Sequence, residues 1–280
     1  MVRRSLSWYP CLLLLCSLTA CAPRSASVAR PPGTLPAYAH NDYQNRHPLQ
    51  DALRLGYSGV EADFFLVDEQ LLVAHERNET RTDRTLQNMY LEPLRQIVAD
   101  SGRVCPAERA FILNIEAKEP GAEAFTALHD LLLEYRDMLT HVDHDQEIPG
   151  AVQVILVGWF PPLAELAAMP VRCVAVQSYY RDLPPDHAQL PAHLLRLVSV
   201  QYQQHFSWQG VGPVPREFEE HLAELCTTRD AVPGRLLRVF KVPRRRAVYD
   251  ALQRGGVDLI GTKKLASSAK LLAPGPLVEY

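Results

Sequence analysis

The sequence lacks a surplus of positive charge. Its 280 residues contain 29 Lys and Arg against 32 Asp and Glu, a formal net charge of −3. Proteins that follow nucleic-acid phosphates usually carry a clustered basic surplus, so we expect no nucleic-acid partner. The short run Arg244–Arg246 lies beside a helical pattern, and we interpret it as the solvated first turn of a helix.

Cysteines in the spacing of a metal site or a disulfide framework are also lacking. Of six cysteines, Cys11 and Cys16 lie in an N-terminal apolar segment, and Cys21 follows that segment. The other three are far apart, with no CxxC or Cys/His spacing: Cys105, Cys173 and Cys226. An odd number allows at most one bridge within the chain, so we expect separate thiols.

No apolar run near the N-terminus is long enough to span a bilayer. The run Cys11–Leu18 is short and follows Arg3 and Arg4, which is typical of a signal peptide over residues 1–20. The segment Leu18–Cys21 resembles a lipoprotein processing site, with an ordinary signal peptide as the alternative. We therefore expect lipidation of Cys21 and an exported, membrane-anchored lipoprotein of the bacterial cell envelope.

Beyond the N-terminal segment, no second linker and no internal repeat is visible. Residues 21–34 are small, polar and Pro-rich and are interpreted as a tether. Strand-like runs then alternate with helical patterns, which predicts one α/β domain over residues 35–270 and a tail over residues 271–280. With Leu71–Ala74 counted as an extension, about eight principal strands remain, which predicts a closed (β/α)8 TIM-type barrel. The predicted strands are Leu35–Ala39, Gly59–Leu66, Ala110–Glu116, Val152–Val157, Val171–Val176, Leu195–Val200, Arg235–Val239 and Val257–Ile260.

Carboxylates occur in two of these apolar strands. Glu61 and Asp63 are two residues apart, so they share one face of their strand. Asn114, Glu116 and Lys118 share a face of a second strand. Three carboxylates near one end of a barrel suit a hard divalent cation, Mg²⁺ or Ca²⁺, because such ions take oxygen ligands.

Two histidines follow strand ends, where the loops of a barrel converge on its active site. His40 ends the first strand and His75 ends the extended piece. Two imidazoles in one pocket can divide the work of proton transfer, one as base and one as acid. The plain alternatives are hydrogen-bonded structural histidines, and ion pairs that hold the carboxylates without a metal.

Several motifs resemble the glycerophosphodiester phosphodiesterase and phosphatidylinositol-specific phospholipase C (PLC-like) superfamily. Among its branches, the resemblance is greatest to the one that includes the altered inheritance of mitochondria protein 6. It covers about residues 36–265. The motifs are His40-Asn41-Asp42-Tyr43, Val60-Glu61-Ala62-Asp63, Leu71-Leu72-Val73-Ala74-His75 and Asn114-Ile115-Glu116-Ala117-Lys118.

This resemblance implies a PLC-like phosphodiesterase barrel with an assigned set of site residues. His40 and His75 align with the catalytic histidines. The metal ligands it implies are Glu61, Asp63 and Glu116. Lys118 and Asn41 are implied to bind the substrate.

The chain departs from the family pattern at two later strands. Gly261-Thr262-Lys263 stands where Asn-Thr-Asp is usual, and the strand before it lacks the usual Phe-Trp pair. These changes affect the predicted substrate-binding rim and leave the predicted catalytic residues intact.

The function expected from the resemblance is metal-dependent hydrolysis of a phosphodiester, with a phospholipid-derived substrate among the candidates. The alternatives are a binding module without turnover on the same barrel, and an enzyme of this fold that acts on carbon–oxygen bonds. The sequence leaves open the head group, the choice between Mg²⁺ and Ca²⁺, and which histidine is the base.

Overall fold

The computed structural model describes residues 34–106, 109–119 and 121–273, and within them strands and helices alternate along the chain. The strands are β1 (Leu35–Ala39), β2 (Tyr57–Val67), β3 (Gln70–Val73), β4 (Phe111–Ala117), β5 (His141–Asp143), β6 (Gln146–Ile148), β7 (Val152–Val157), β8 (Val171–Arg172), β9 (Val174–Tyr179), β10 (Leu195–Gln201), β11 (Leu236–Phe240) and β12 (Leu259–Thr262). The α-helices are α1 (Gln50–Arg54), α2 (Glu92–Ser101), α3 (Ala122–Leu133), α4 (Leu163–Ala168), α5 (Tyr202–His205), α6 (Arg216–Asp230), α7 (Arg246–Arg254) and α8 (Leu265–Leu272).

Eight parallel strands close into a barrel, as the sequence predicts. Their order is β1-β12-β11-β10-β9-β7-β4-β2, and β1 also pairs with β2, which completes the ring. The strand β3 runs antiparallel to the far end of β2 and stands outside the ring. Because all eight strands are parallel, their carboxyl ends lie together at one mouth of the barrel.

Side chains alternate between the inside of the barrel and the layer beneath the helices. Inside, an apolar cluster fills the amino-terminal half: Tyr38, Ile112, Ile155, Leu197 and Leu259. On the outer faces, small and branched side chains such as Val60, Ala62 and Ile115 belong to the main core between strands and helices. The polar residues at the next inward positions, such as Glu61 and Asn114, therefore lie between this apolar cluster and the barrel mouth.

The structure corrects one predicted strand and adds detail to the helices. The predicted strand Val171–Val176 is divided, because β8 pairs with β5 in a small separate sheet and β9 enters the barrel. The helix α3 ends at Leu133, after which the backbone hydrogen bonds tighten to three-residue spacing. The helix α8 was not predicted; it packs against α7 and β1.

None of the helices in the described ranges is long and apolar enough to cross a membrane. The predicted signal segment, Cys21 and the tether up to residue 33 lie outside the described residues, and lipidation stays a prediction. The predicted tail lies almost entirely outside them as well.

Candidate active site

Strands β2 and β4 bring three carboxylates together at the barrel mouth. In the parallel register, Glu61 lies opposite Asn114 and Asp63 lies opposite Glu116. One oxygen from each of Glu61, Asp63 and Glu116 lies within 4.8 Å of the others. Glu61 is 2% exposed and Asp63 is 1% exposed, so these two carboxylates are withdrawn from water.

The neighbouring strand leaves room for Glu116 through a glycine. Gly158 follows β7 with φ of 76°, and a Cβ there would come within 3.3 Å of Glu116 Oε1. A larger residue would be strained by the backbone and would press on the carboxylate.

Burial and mutual repulsion act on the carboxylates in different ways. Burial, followed by the charge of Glu61, raises the pKa of Asp63. Burial and the charge of Asp63 likewise raise the pKa of Glu116. For Glu61 burial also acts upwards, but the hydrogen bond from His40 and the charge of Arg238 outweigh it and lower its pKa. Glu61 is thus the most strongly acidic member of the cluster.

Lys118 lies beside this cluster, just past the end of β4. Its Nζ is 3.5 Å from Asp63 Oδ2 and 3.7 Å from Glu116 Oε1. Partial burial acts to lower its pKa, but the two carboxylates outweigh it and raise the pKa. The ammonium group therefore stays charged and supplies a fixed positive charge at the mouth.

His75 is held through its Nδ1 atom. That atom lies 3.0 Å from Tyr43 Oη, 3.4 Å from Asp63 Oδ2 and 3.4 Å from Asn41 Nδ2. Tyr43 Oη also donates to Asp63 Oδ2 at 2.6 Å. A cavity of about 410 Å³ opens beside the ring, lined also by Tyr43 and Arg84.

His40 is also held through its Nδ1 atom, against a different carboxylate of the cluster. Its Nδ1 lies 3.0 Å from Glu61 Oε2 and 3.2 Å from Arg238 Nη2. In both rings Nδ1 meets buried groups, and among the described residues neither Nε2 has a hydrogen bond. The Nε2 atoms are consequently the ones available to a bound molecule.

Asp42 follows His40 and Asn41 in the sequence, but its role is structural. It is fully buried, and its Oδ2 accepts from the backbone N–H of Leu49 and from Tyr90 Oη. Burial raises its pKa to about 6. Leu49 has a φ of 61°, so the carboxylate fixes an otherwise strained turn after β1. This turn sets the positions of His40, Asn41 and Tyr43.

The sequence reasoning missed Arg238, which lies inside the barrel on β11. It is 3% exposed, its guanidinium stacks 4.2 Å from the centre of the Tyr38 ring, and Nη1 donates to Gln177 Oε1 at 3.0 Å. A Cβ at Gly261 would come within 3.3 Å of Arg238 Nε. An isolated arginine in an apolar strand, with glycine on the next strand, was the available signal.

Tyr43 was also missed as a site residue, although it belongs to a quoted motif. Each residue that the sequence did assign to the site lies at the mouth. The structure brings together Glu61, Asp63, Glu116, Lys118, His75, Asn41 and His40.

The side chains present fit a hard divalent cation. Asp63 Oδ1 is buried and has no hydrogen-bond partner among the described residues, and both polar atoms of buried Asn114 also lack one. Converging anionic oxygens that are desolvated and partly unpartnered are the donor set that Mg²⁺ or Ca²⁺ takes. Glu61, Asp63 and Glu116 could hold such an ion.

The family of AIM6-like phosphodiesterase domains matches residues 28–186, more than half of the chain. The chain belongs to this family. A curated relative is the altered inheritance of mitochondria protein 6 homolog of Arthroderma benhamiae, 28% identical over 173 residues, which are 54% of this chain and 53% of that protein. The altered inheritance of mitochondria protein 6 of Lachancea thermotolerans is 34% identical over 145 residues, or 44% of this chain and 34% of that protein.

The match of this AIM6-like chain covers about half the length of the first relative and about a third of the length of the second. A solved structure from Silicibacter pomeroyi, assigned as a glycerophosphoryl diester phosphodiesterase, shares the fold. Its TM-score is 0.51 at 12% identity, over 86% of this chain and 94% of that chain. The predicted resemblance and the predicted barrel are thereby confirmed.

The predicted localisation in a bacterial cell envelope is wrong. The matching curated relatives of this AIM6-like chain are proteins of fungi, which are eukaryotes and have no bacterial envelope. A signal-like apolar segment beside a cysteine was too short a pattern to identify the kind of cell.

Proposed function

We propose that this AIM6-like domain is a metal-dependent phosphoric diester hydrolase with a two-histidine acid–base pair. The observation that carries the proposal is the cluster of Glu61, Asp63 and Glu116, whose oxygens lie within 4.8 Å, with one imidazole against Glu61 and another against Asp63. A cation alone would explain the carboxylates. The two imidazoles beside them add the means of moving protons.

The proposed metal ligands are Glu61, Asp63 and Glu116, and the proposed ion is Mg²⁺ or Ca²⁺. When bound, the ion supplies charge neutralisation at a phosphoryl oxygen. Lys118 is fixed 3.5 Å from Asp63, and we assign it a contact with another phosphoryl oxygen, where it stabilises developing negative charge. Asn41 is assigned a second polar contact with the substrate, since its amide lies 3.4 Å from His75.

His40 and His75 are the proposed acid–base pair. Each ring is fixed through Nδ1, at 3.0 Å from Glu61 for His40 and 3.0 Å from Tyr43 for His75. Each Nε2 can then accept a proton from a nucleophile or give one to the departing alcohol. One ring lies against Glu61 and the other against Asp63, so two separate proton-transfer groups are present for the attack on phosphorus and the departure of the alcohol.

The test is hydrolysis of bis-p-nitrophenyl phosphate with Mg²⁺, with Ca²⁺ and with a chelator. We expect turnover that requires a metal, and a loss of about a thousandfold or more in His40→Ala, because a proton-transfer group contributes about 10²–10⁴-fold. The matched control is His144→Ala, at an exposed histidine between β5 and β6 of the small separate sheet, and it should keep wild-type turnover.

Circular dichroism of each variant confirms that the fold is kept. Unaltered turnover in folded His40→Ala would contradict the role of His40. Metal binding without turnover in the wild-type protein would contradict hydrolysis and favour the binding module.

A further inference from the structure

Lysine is rare in this chain, and its placement is uneven. Only five of the 29 Lys and Arg residues are lysine. Four of the five follow the carboxyl ends of barrel strands: Lys118 after β4, Lys241 after β11, and Lys263 and Lys264 after β12. Arginines, by contrast, occur throughout the sequence. Lysines used only for solvation would have no reason to gather at one mouth.

Three of these lysines form what we call the lysine arc: Lys241, Lys263 and Lys264. Around the barrel, β12 lies next to β1, and β11 lies next to β12. The backbone N–H of His40 donates to the carbonyl of Thr262 at 3.0 Å, so Lys263 comes directly after the residue paired with this histidine. The lysine arc therefore adjoins His40 on the side away from Lys118.

The charges of the lysine arc have no local compensation. All three side chains are exposed, and no ion pair is formed by any of them within the described ranges. The sequence has no Asp or Glu between Asp230 and Asp250, or between Asp258 and Glu279. Lys241 Nζ has one polar contact, 3.3 Å from the neutral Gln201 Oε1.

The loops on the opposite side of the mouth are different. There Arg77 pairs with Glu119 and Arg81 pairs with Asp83. These two exposed cations are matched by acids, while the ammonium groups of the lysine arc are not. Repulsion among unmatched ammonium groups is unfavourable unless an anion joins them.

We propose that the lysine arc is a second anion-binding subsite, so that the substrate is a phosphodiester with a second anionic group, a phosphate or a carboxylate. The inference rests on the proposed hydrolase function. A diester phosphate has a single negative charge, which Lys118 and the cation of the carboxylate cluster already meet. The three further ammonium groups match an anion that extends from the scissile phosphate, past His40, towards β12 and β11.

Lysine suits this task because its ammonium is a mobile point charge with three donors, which can meet phosphate or carboxylate oxygens without a fixed angle. Because the groups are exposed, each contact is screened by water and salt. The subsite should therefore act mainly on KM.

The experiment compares two substrates in the metal-loaded protein. One is p-nitrophenyl propyl phosphate, and the other carries a phosphomonoester at the end of its propyl chain. We expect kcat/KM to be about tenfold higher for the phosphorylated substrate. In Lys241→Gln/Lys263→Gln/Lys264→Gln this preference should fall to about one, through KM. Lys270→Gln, the one lysine away from the mouth, is the matched control and should keep the preference.

Calorimetry with propanediol bisphosphate separates the subsite from the chemistry. If the wild-type protein hydrolyses neither substrate, the proposed function fails, and a tenfold weaker titration in the triple variant still supports the subsite. Equal titrations in the two proteins, or a preference that the triple variant keeps, would overturn it. Wild-type binding to phosphatidylglycerol vesicles that the triple variant loses, without any preference between the soluble substrates, would also overturn it and assign the arc to a membrane surface.

Discussion

The two sides of the barrel mouth carry charge in opposite ways. On the side of β2 and β4, Glu61 and Asp63 are buried; Asp63 accepts a hydrogen bond from Tyr43, and the two carboxylates have close polar contacts with His40 and Lys118. On the side of β11 and β12, the lysine arc is exposed and has no acidic partner among the described residues. The carboxylates, which must hold one geometry, are fixed by several polar contacts, whereas the lysines, which need only attract an anion, are left free to move.

Arg238 connects the two sides, since it lies on β11 but contacts His40 and approaches Glu61 to 4.0 Å. Removing it in Arg238→Met would leave a buried carboxylate without its guanidinium. We expect the free energy of unfolding, measured by denaturation in chelator, to fall by about 3 kcal/mol. A saturating divalent cation should recover part of this loss, because it takes over the compensation of Glu61.

The matched control is Arg235→Met. Arg235 is equally buried, but it donates to carbonyl groups at Leu195, His187 and Leu190 and to no carboxylate in the described ranges. The fall in the free energy of unfolding caused by Arg235→Met should be the same with and without metal. A metal-independent loss in Arg238→Met would mean that the guanidinium serves packing alone.

Asp42 tests how the turn after β1 is held. Its folded pKa is about 6, above the ordinary value near 4, so protonation favours the folded state. The stability that this raised pKa adds to the folded state is fully present below pH about 4 and is lost as pH rises through about 6. Relative to Asp42→Asn, the wild-type free energy of unfolding should therefore fall by about 2 kcal/mol between pH 4 and pH 7.

Chemical denaturation at several pH values measures this difference. Asp130→Asn, at an exposed position on α3, controls for a general loss of surface charge. A difference between wild type and Asp42→Asn that does not change with pH would show that this carboxyl does not titrate in that range.

Salt should produce the smallest effect and should distinguish the two sides. Raising ionic strength from about 0.05 to 0.5 M should lower kcat/KM for the phosphorylated substrate about threefold, because exposed charges are screened over a few ångströms. The triple lysine variant should show a flatter dependence. An equally steep dependence in that variant would place the attraction elsewhere.

Much of the fold could be predicted from the sequence because the barrel strands are apolar and most of them are followed by a helical pattern. The meeting of His40, Glu61, Asp63 and Glu116 followed from one rule, that parallel strand ends converge. The rule does not say what lies beneath that mouth. Arg238 meets His40 across 198 positions of the chain, and no local pattern reports such a contact.

Errors of detail had similar causes. The run Val171–Val176 has strand character throughout, but Val171–Arg172 pairs with β5 outside the barrel. There Arg172 donates through Nη2 to His193 at 2.6 Å, a contact that no local pattern predicts. No sequence pattern separates Asp42 from its neighbours, because an aspartate that fixes a turn and an aspartate that binds a ligand can stand in the same local sequence.

The pairing of β1 with β12 has a consequence for the order of assembly. Glu61, Asp63 and His75 lie within one hairpin, whose short-range contacts can form early. His40, by contrast, is contacted by Arg238 and donates its backbone N–H to the carbonyl of Thr262, and both partners lie on strands that are synthesised much later than β1. We expect a partly made chain to contain most of its acidic groups in place and yet to remain inert until the last strand closes the ring.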